Sequence, residues 1–65
     1  MTHETLNKLP PEVRKSIETI RQSTKQYPRY RELYVNKGLG YCQALKDSGI
    51  LTEPERRILS CYITV

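Results

Sequence analysis

The sequence predicts an all-α fold, a small three-helix domain that ends in a C-terminal antiparallel helical hairpin. Two observations lead to this prediction. Apolar residues recur at helical spacing along two long segments, and a glycine followed by a helix-capping sequence separates the second segment from a third. A chain of 65 residues makes one domain at most, with a small core.

The first helix is predicted over residues 11–26. The segment before it, 1–9, is polar apart from Leu6 and Leu9, and we expect a flexible N-terminus there and a single domain over 10–65. Two adjacent prolines stop any earlier helix and set the entry to this one. The spacing of its apolar residues places four side chains on one face: Val13, Ile17, Ile20 and Thr24.

The second helix is predicted to start near Arg29, after Pro28 breaks the first, and to be the central element. Gly38 and Gly40 each cost about 1 kcal/mol relative to Ala inside a helix, so a break near Gly38 is the alternative. The apolar residues keep one helical phase across residues 30–45, which favours a single helix. In that helix the two glycines would let a neighbouring backbone approach closely. Its apolar arc is broad enough for several neighbours and comprises Tyr30, Leu33, Tyr34, Gly38, Tyr41, Ala44 and Leu45, extended by Val35, Leu39 and Cys42.

The hairpin is predicted from a short turn between the second and third helices. Gly49 lies where a helix end favours positive φ, and Thr52 with Glu55 fits a capping box that opens a new helix. Pro54 is tolerated in that first turn because the N–H it lacks would have no partner there. We expect the third helix to run from about Glu53 to residue 62 or 63.

The turn also resembles a known small module. Residues 45–55, Leu-Lys-Asp-Ser-Gly-Ile-Leu-Thr-Glu-Pro-Glu, are similar to the turn of the short C-terminal helical hairpins called SHOCT modules. Those hairpins carry a bulky aromatic residue shortly afterwards, where this chain has Arg56 and Arg57. The resemblance covers eleven residues, and what it implies is the hairpin alone.

Composition limits the classes of function. The net charge is +4 with no run of five or six like charges, which argues against a basic tail. The N-terminus has no apolar run typical of a signal peptide, and no segment approaches a membrane span. We therefore expect a soluble, cytoplasmic protein without membrane contact, and a buried structural role for Cys42 and Cys61.

Sequence patterns of catalysis are weak. The single histidine, His3, stands in a polar segment with no partner to orient it. The two cysteines are nineteen positions apart without a second pair of metal ligands. Gly38-Leu39-Gly40 lacks the third glycine of a dinucleotide-binding loop. The sequence predicts no enzyme, no cofactor and no catalytic or metal site.

The first functional hypothesis is a helical protein–protein interaction module with an accessory or regulatory role, which binds another protein or its own copy. This hypothesis is suggested by the apolar side chains, which offer more area than one small core can bury. The alternative is that the first helix covers this area. The candidate partner-binding residues are Val35, Leu39, Arg31 and Ile63.

The second hypothesis is a basic nucleic-acid-binding accessory protein of a phage or mobile element. Tyrosines beside arginines over 27–34 can stack on bases while the cations hold phosphates, although the same tyrosines keep the register of a helix core. Glu18 and Glu32 dilute the positive charge, and Glu53 and Glu55 open the helix that would read bases in a helix-turn-helix. The candidate residues are Arg14, Arg21, Lys25, Arg29 and Arg31.

Overall fold

The structure, a computed structural model, describes residues 2–65 and contains no strand within them. Its four helices are α1 (Thr2–Asn7), α2 (Pro11–Gln26), α3 (Arg31–Asp47) and α4 (Glu53–Thr64). A 3-10 turn, Pro28–Tyr30, joins α2 to α3. The predicted all-α class and the C-terminal helical hairpin are confirmed, and α3 is continuous through both of its glycines.

The core forms where α2, α3 and α4 meet. α3 packs against both α2 and α4, and α4 also contacts α1. The buried line of α3 runs through Gly38, Cys42 and Leu45. Around it, the other segments contribute one contiguous set of buried apolar side chains: Leu6, Leu9, Ile17, Ile20, Leu51, Leu59 and Ile63.

At Gly38, side chains of α2 and α4 pack directly against the backbone of α3. A Cβ atom at this position would lie 2.8 Å from Cγ2 of Ile63 and 3.0 Å from Cγ2 of Ile20. The missing side chain therefore admits side chains of α2 and α4, rather than the neighbouring backbone expected from the sequence. At Gly40 a Cβ atom would meet nothing within 4 Å, so the same expectation is wrong there.

The fourth helix, α1, lies where the sequence analysis expects a flexible N-terminus. Leu6 is 3% exposed and Leu9 is 5% exposed, and the helix packs against α4. Lys8 adds an ion pair to Glu55 at 3.7 Å. Leu6 and Leu9, together with the buried Thr5, thus dock this short helix. The part of the prediction that concerns residue 1 lies outside the described residues.

The turn between α3 and α4 has the predicted chemistry. Gly49 has φ +82°, and its N–H donates to the Lys46 carbonyl at 2.9 Å while the Ile50 N–H donates to the Leu45 carbonyl at 2.9 Å. This pair of bonds is a Schellman motif. α4 then opens with a capping box between Thr52 and Glu55. Each end of the turn therefore satisfies its own backbone groups.

The buried face of α3 is narrower than the predicted apolar arc, because α3 is rotated differently about its axis. Tyr34 and Tyr41 are half-buried, but Tyr30, Leu33 and Ala44 face solvent. Leu33 lies five residues before Gly38, about 140° away around the helix axis at about 100° per residue. Because Gly38 must face Ile20 and Ile63, Leu33 is turned outward. A broad apolar arc left this rotation undetermined in the sequence.

Candidate functional site

Three of the five cations proposed for nucleic-acid binding converge on the last turn of α4. Nε of Arg21 donates to the Tyr62 carbonyl at 3.0 Å, and Nζ of Lys25 donates to the main-chain oxygen of Val65 at 2.8 Å. Nη2 of Arg31 donates to the carbonyl of Thr64. We call Arg21, Lys25 and Arg31 the cationic cap of α4.

The cationic cap satisfies groups that every helix leaves without an intrahelical partner, the last carbonyls. α4 carries no basic residue in its own last turn, so α2 and α3 supply the positive charge that favours a helix C-terminus. The guanidinium of Arg21 also lies 4.6 Å from the centroid of the Tyr62 ring. The buried hydroxyl of Thr24 is 3.5 Å from the remaining carbonyl, that of Ile63. These cations therefore have a structural task.

The other two proposed nucleic-acid contacts lie apart from each other. Arg14 is half-buried, and its Nη1 is 3.5 Å from Oδ1 of Asn7 in α1. Arg29 is exposed in the 3-10 turn. The structure thus brings Arg21, Lys25 and Arg31 together, but all three donate to main-chain oxygens at the C-terminal end of α4.

The four predicted partner-binding residues do not share one exposed surface either. Ile63 is 0% exposed, so the prediction that it lies on the surface is wrong: its side chain fills the space beside Gly38. Val35 and Leu39 are half-buried. Arg31 is exposed but belongs to the cationic cap. Of the three apolar candidates, Ile63 belongs to the buried core, whereas Val35 and Leu39 remain partly exposed.

Apolar side chains are exposed elsewhere, at the junction of α2 and α3. Leu33 is 63% exposed, Tyr30 is 54% exposed and Tyr27 is 45% exposed. The ring of Tyr27 lies against the half-buried Tyr34, with centroids 6.0 Å apart and planes tilted by 32°. We call Tyr27, Tyr30 and Leu33 the aromatic patch. The sequence marks this cluster as a candidate for base stacking and predicts Tyr30 on the core face, so its exposure is a correction.

A groove of about 370 Å³ lies between α2 and α3 and is lined by Lys15, Ser16, Thr19, Ile20, Lys37 and Tyr41. One lysine comes from each helix. Leu33, Lys37 and Tyr41 are four residues apart and so lie along one side of α3. Leu33 therefore continues this side of α3 towards the turn, and the groove adjoins the aromatic patch. We call it the α2–α3 groove.

The two cysteines have different surroundings. Cys42 is buried, and burial raises the pKa of its thiol, partly offset by the nearby Ser60 hydroxyl. Cys61 is exposed, which contradicts the expected burial, and it borders a smaller groove of about 220 Å³ with Arg21 and Tyr62. Both thiols are free. Cys42 packs as a small apolar side chain.

Other types of site find little support in the described part of the chain. His3 is exposed on α1, and residues 2–65 contain no group of three or more His, Cys, Asp or Glu side chains that could hold a metal ion. Within the same residues, every helix is too short or too polar to cross a lipid bilayer. The chain matches no protein-family model, no curated protein and no solved structure.

Proposed function

We propose that this chain is a small helical interaction module that acts by binding a partner protein through the aromatic patch, without catalysis of its own. One observation carries the proposal. Three large side chains within seven residues, Tyr27, Tyr30 and Leu33, are each 45% or more exposed in a chain that has no Phe or Trp. Folding alone gives no reason to expose three such side chains in so short a segment.

The composition of the patch fits a protein interface. Tyr and Arg are enriched where partner proteins contribute most binding energy, because they offer large area and a polar end. Arg29 lies between the two tyrosines in sequence and is exposed with them. The other exposed large apolar side chains, Ile50 and Val65, are single residues at the hairpin turn and after α4. Isolated apolar residues of that kind are normal on a surface.

The nucleic-acid alternative is less well supported. Arg21, Lys25 and Arg31 already donate to main-chain oxygens of α4 and its successor residue. To contact phosphates, each would have to give up its hydrogen bond to a main-chain oxygen. Arg29 alone among the five candidates is exposed and without a partner in the described residues.

The test is affinity capture from an extract of the source cells, treated with nuclease, using the full chain as bait. We expect specific proteins to be retained by the wild-type chain and lost with Tyr27→Ser/Tyr30→Ser/Leu33→Ser. The matched control, Ile50→Ser/Val65→Ser, removes exposed apolar area outside the patch and should retain them. Circular dichroism verifies that each variant is folded, since exposed substitutions change stability little.

The same experiment can contradict the proposal. Equal retention by the wild-type chain and the patch variant would place binding elsewhere. In a parallel capture from untreated extract, proteins retained there but absent after nuclease treatment would instead favour the nucleic-acid alternative.

A further inference from the structure

We infer that the α2–α3 groove binds an acidic segment of the partner protein, with carboxylates at Lys15 and Lys37 and an apolar side chain on Ile20 and Tyr41. This inference rests on the proposed function, because it names the chemistry of the partner. It also adds a second, electrostatic part to the contact surface, beside the aromatic patch.

The cations that lack a contact partner belong to neighbouring elements, α2, the 3-10 turn and α3. Among residues 2–65, three cations contact no carboxylate, amide oxygen or main-chain oxygen: Lys15, Arg29 and Lys37. Every other cation has such a contact, namely Lys8, Arg14, Arg21, Lys25, Arg31, Lys46, Arg56 and Arg57. The helices α2 and α3 also carry Glu12, Glu18 and Glu32, none of which forms an ion pair within residues 2–65. The unpaired charge is therefore positive at the groove lining itself, where Lys15 and Lys37 stand without a carboxylate.

The groove itself has the form of a site for an acidic, partly apolar segment. Lys15 lies on the α2 wall and Lys37 on the α3 wall, and no acidic residue lines the space between them. Ile20 and Tyr41 give the lining an apolar part. A cleft with cations on both walls attracts negative charge more strongly than a flat surface with the same charges, because its low-dielectric walls focus the field.

A second copy of this chain fits the groove poorly. In a two-fold symmetric dimer the same surface faces itself. The lysines Lys15 and Lys37 of both copies would then share one interface, and like charges placed together at an interface oppose association. An acidic partner of different sequence meets the same surface with attraction. Charge complementarity therefore favours a heterologous protein segment over self-association.

The experiment titrates the ¹⁵N-labelled full chain with a synthetic helical peptide of Glu and Leu at four-residue spacing, blocked at both ends. We expect saturable shifts of amide signals in α2 and α3 around Lys15, Thr19, Lys37 and Tyr41. Binding should weaken as salt increases, because exposed charges are screened. Sedimentation velocity of the free chain should give a monomer.

Two variants of equal charge make the test specific. Lys15→Gln/Lys37→Gln should raise the Kd for the peptide by about tenfold, the effect of losing two partly exposed ion pairs. Lys8→Gln/Arg57→Gln removes the same net charge from two exposed cations, one directly after α1 and one in α4, and should leave the Kd within about twofold. The comparison separates a local site from a general effect of net charge.

Several results would overturn the inference. These are no saturable shift, shifts confined to other helices, the same Kd for both double variants, or the same Kd for a peptide with Gln in place of Glu. Tighter binding of a single-stranded oligonucleotide to the same residues would replace the acidic protein segment with a nucleic acid. A concentration-dependent dimer that buries the groove would replace it with a second copy.

The groove inference and the proposed function can fail independently of each other. If the Lys15→Gln/Lys37→Gln chain captures the same proteins from the extract as the wild-type chain, the groove inference fails while the aromatic patch keeps its function. If instead the patch variant still captures them, the proposed function fails first.

Discussion

Two glycines of α3 occupy opposite environments, and at the scale of single residues they are the sharpest test of the packing. Gly38 is buried and faces Ile20 and Ile63, whereas Gly40 is exposed and faces open space. In the sequence they differ by two positions in one helix and carry the same intrinsic penalty. Only the rotation of α3 distinguishes them.

We expect Gly40→Ala to raise the free energy of unfolding by about 0.5–1 kcal/mol, because Ala favours the helix and meets no neighbour. Gly38→Ala should lower it by about 1–3 kcal/mol, since the added Cβ atom would overpack the core. Urea denaturation followed by circular dichroism measures both. Stabilisation by Gly38→Ala would show that α3 is rotated differently.

At the scale of elements, the start of α4 is held by a cluster of charges around one carboxylate. Glu53 accepts hydrogen bonds from Arg56, and it lies 3.3 Å from Nζ of Lys46 and 3.4 Å from Nε of Arg57. The hydrogen bond from Arg56, then that from Lys46, and the positive charges of both residues lower the pKa of Glu53 to about 2. This cluster joins the end of α3 to the start of α4.

The lowered pKa predicts how the stability of α4 changes with pH. Because the pKa of Glu53 in the folded chain, about 2, is below its ordinary value of 4.5, ionised Glu53 stabilises the fold above about pH 4.5. That contribution is lost as pH falls towards 2. We expect Glu53→Gln to flatten the thermal stability between these values, measured as Tm against pH. An acid limb as steep as that of the wild-type chain would contradict the charge cluster.

The elements themselves were largely predictable from the sequence, because their ends carry local signals. Prolines mark the start of α2 and the 3-10 turn, and Gly49 with Thr52 and Glu55 specifies the hairpin. The rotation of α3 was not predictable, because apolar residues occupy so much of its circumference that several rotations bury a similar area. The exposure of Leu33 follows from that rotation, whereas the burial of Ile63 depends on which face α4 turns to the core.

At the scale of the whole molecule, α1 is the element whose docking depends most on distant residues. Its sequence holds one buried leucine, Leu6, and a second, Leu9, follows it. A helix of six residues is far too short to be stable in water alone. Its place therefore depends on the surface of α4, which the local sequence of residues 1–9 does not reveal. The aromatic patch was found as a pattern, but its exposure likewise depends on the packing of three helices.

We expect Leu6→Ala to lower the free energy of unfolding by about 2–3 kcal/mol, the cost of removing a buried leucine side chain. Leu33→Ala makes the same chemical change at an exposed position and should alter it by about 0.5 kcal/mol or less. Urea denaturation of both variants gives the comparison. Equal stability of the two would mean that α1 is detached in solution.

The cationic cap has a consequence for how α4 can move. A helix end is ordinarily the first part to unwind, but here unwinding would separate three cations from their oxygens and uncover Ile63. Sliding α4 along its axis would break the same contacts. Arg21 and Lys25 come from α2 and Arg31 from α3, so the two preceding helices jointly pin the register of the last one.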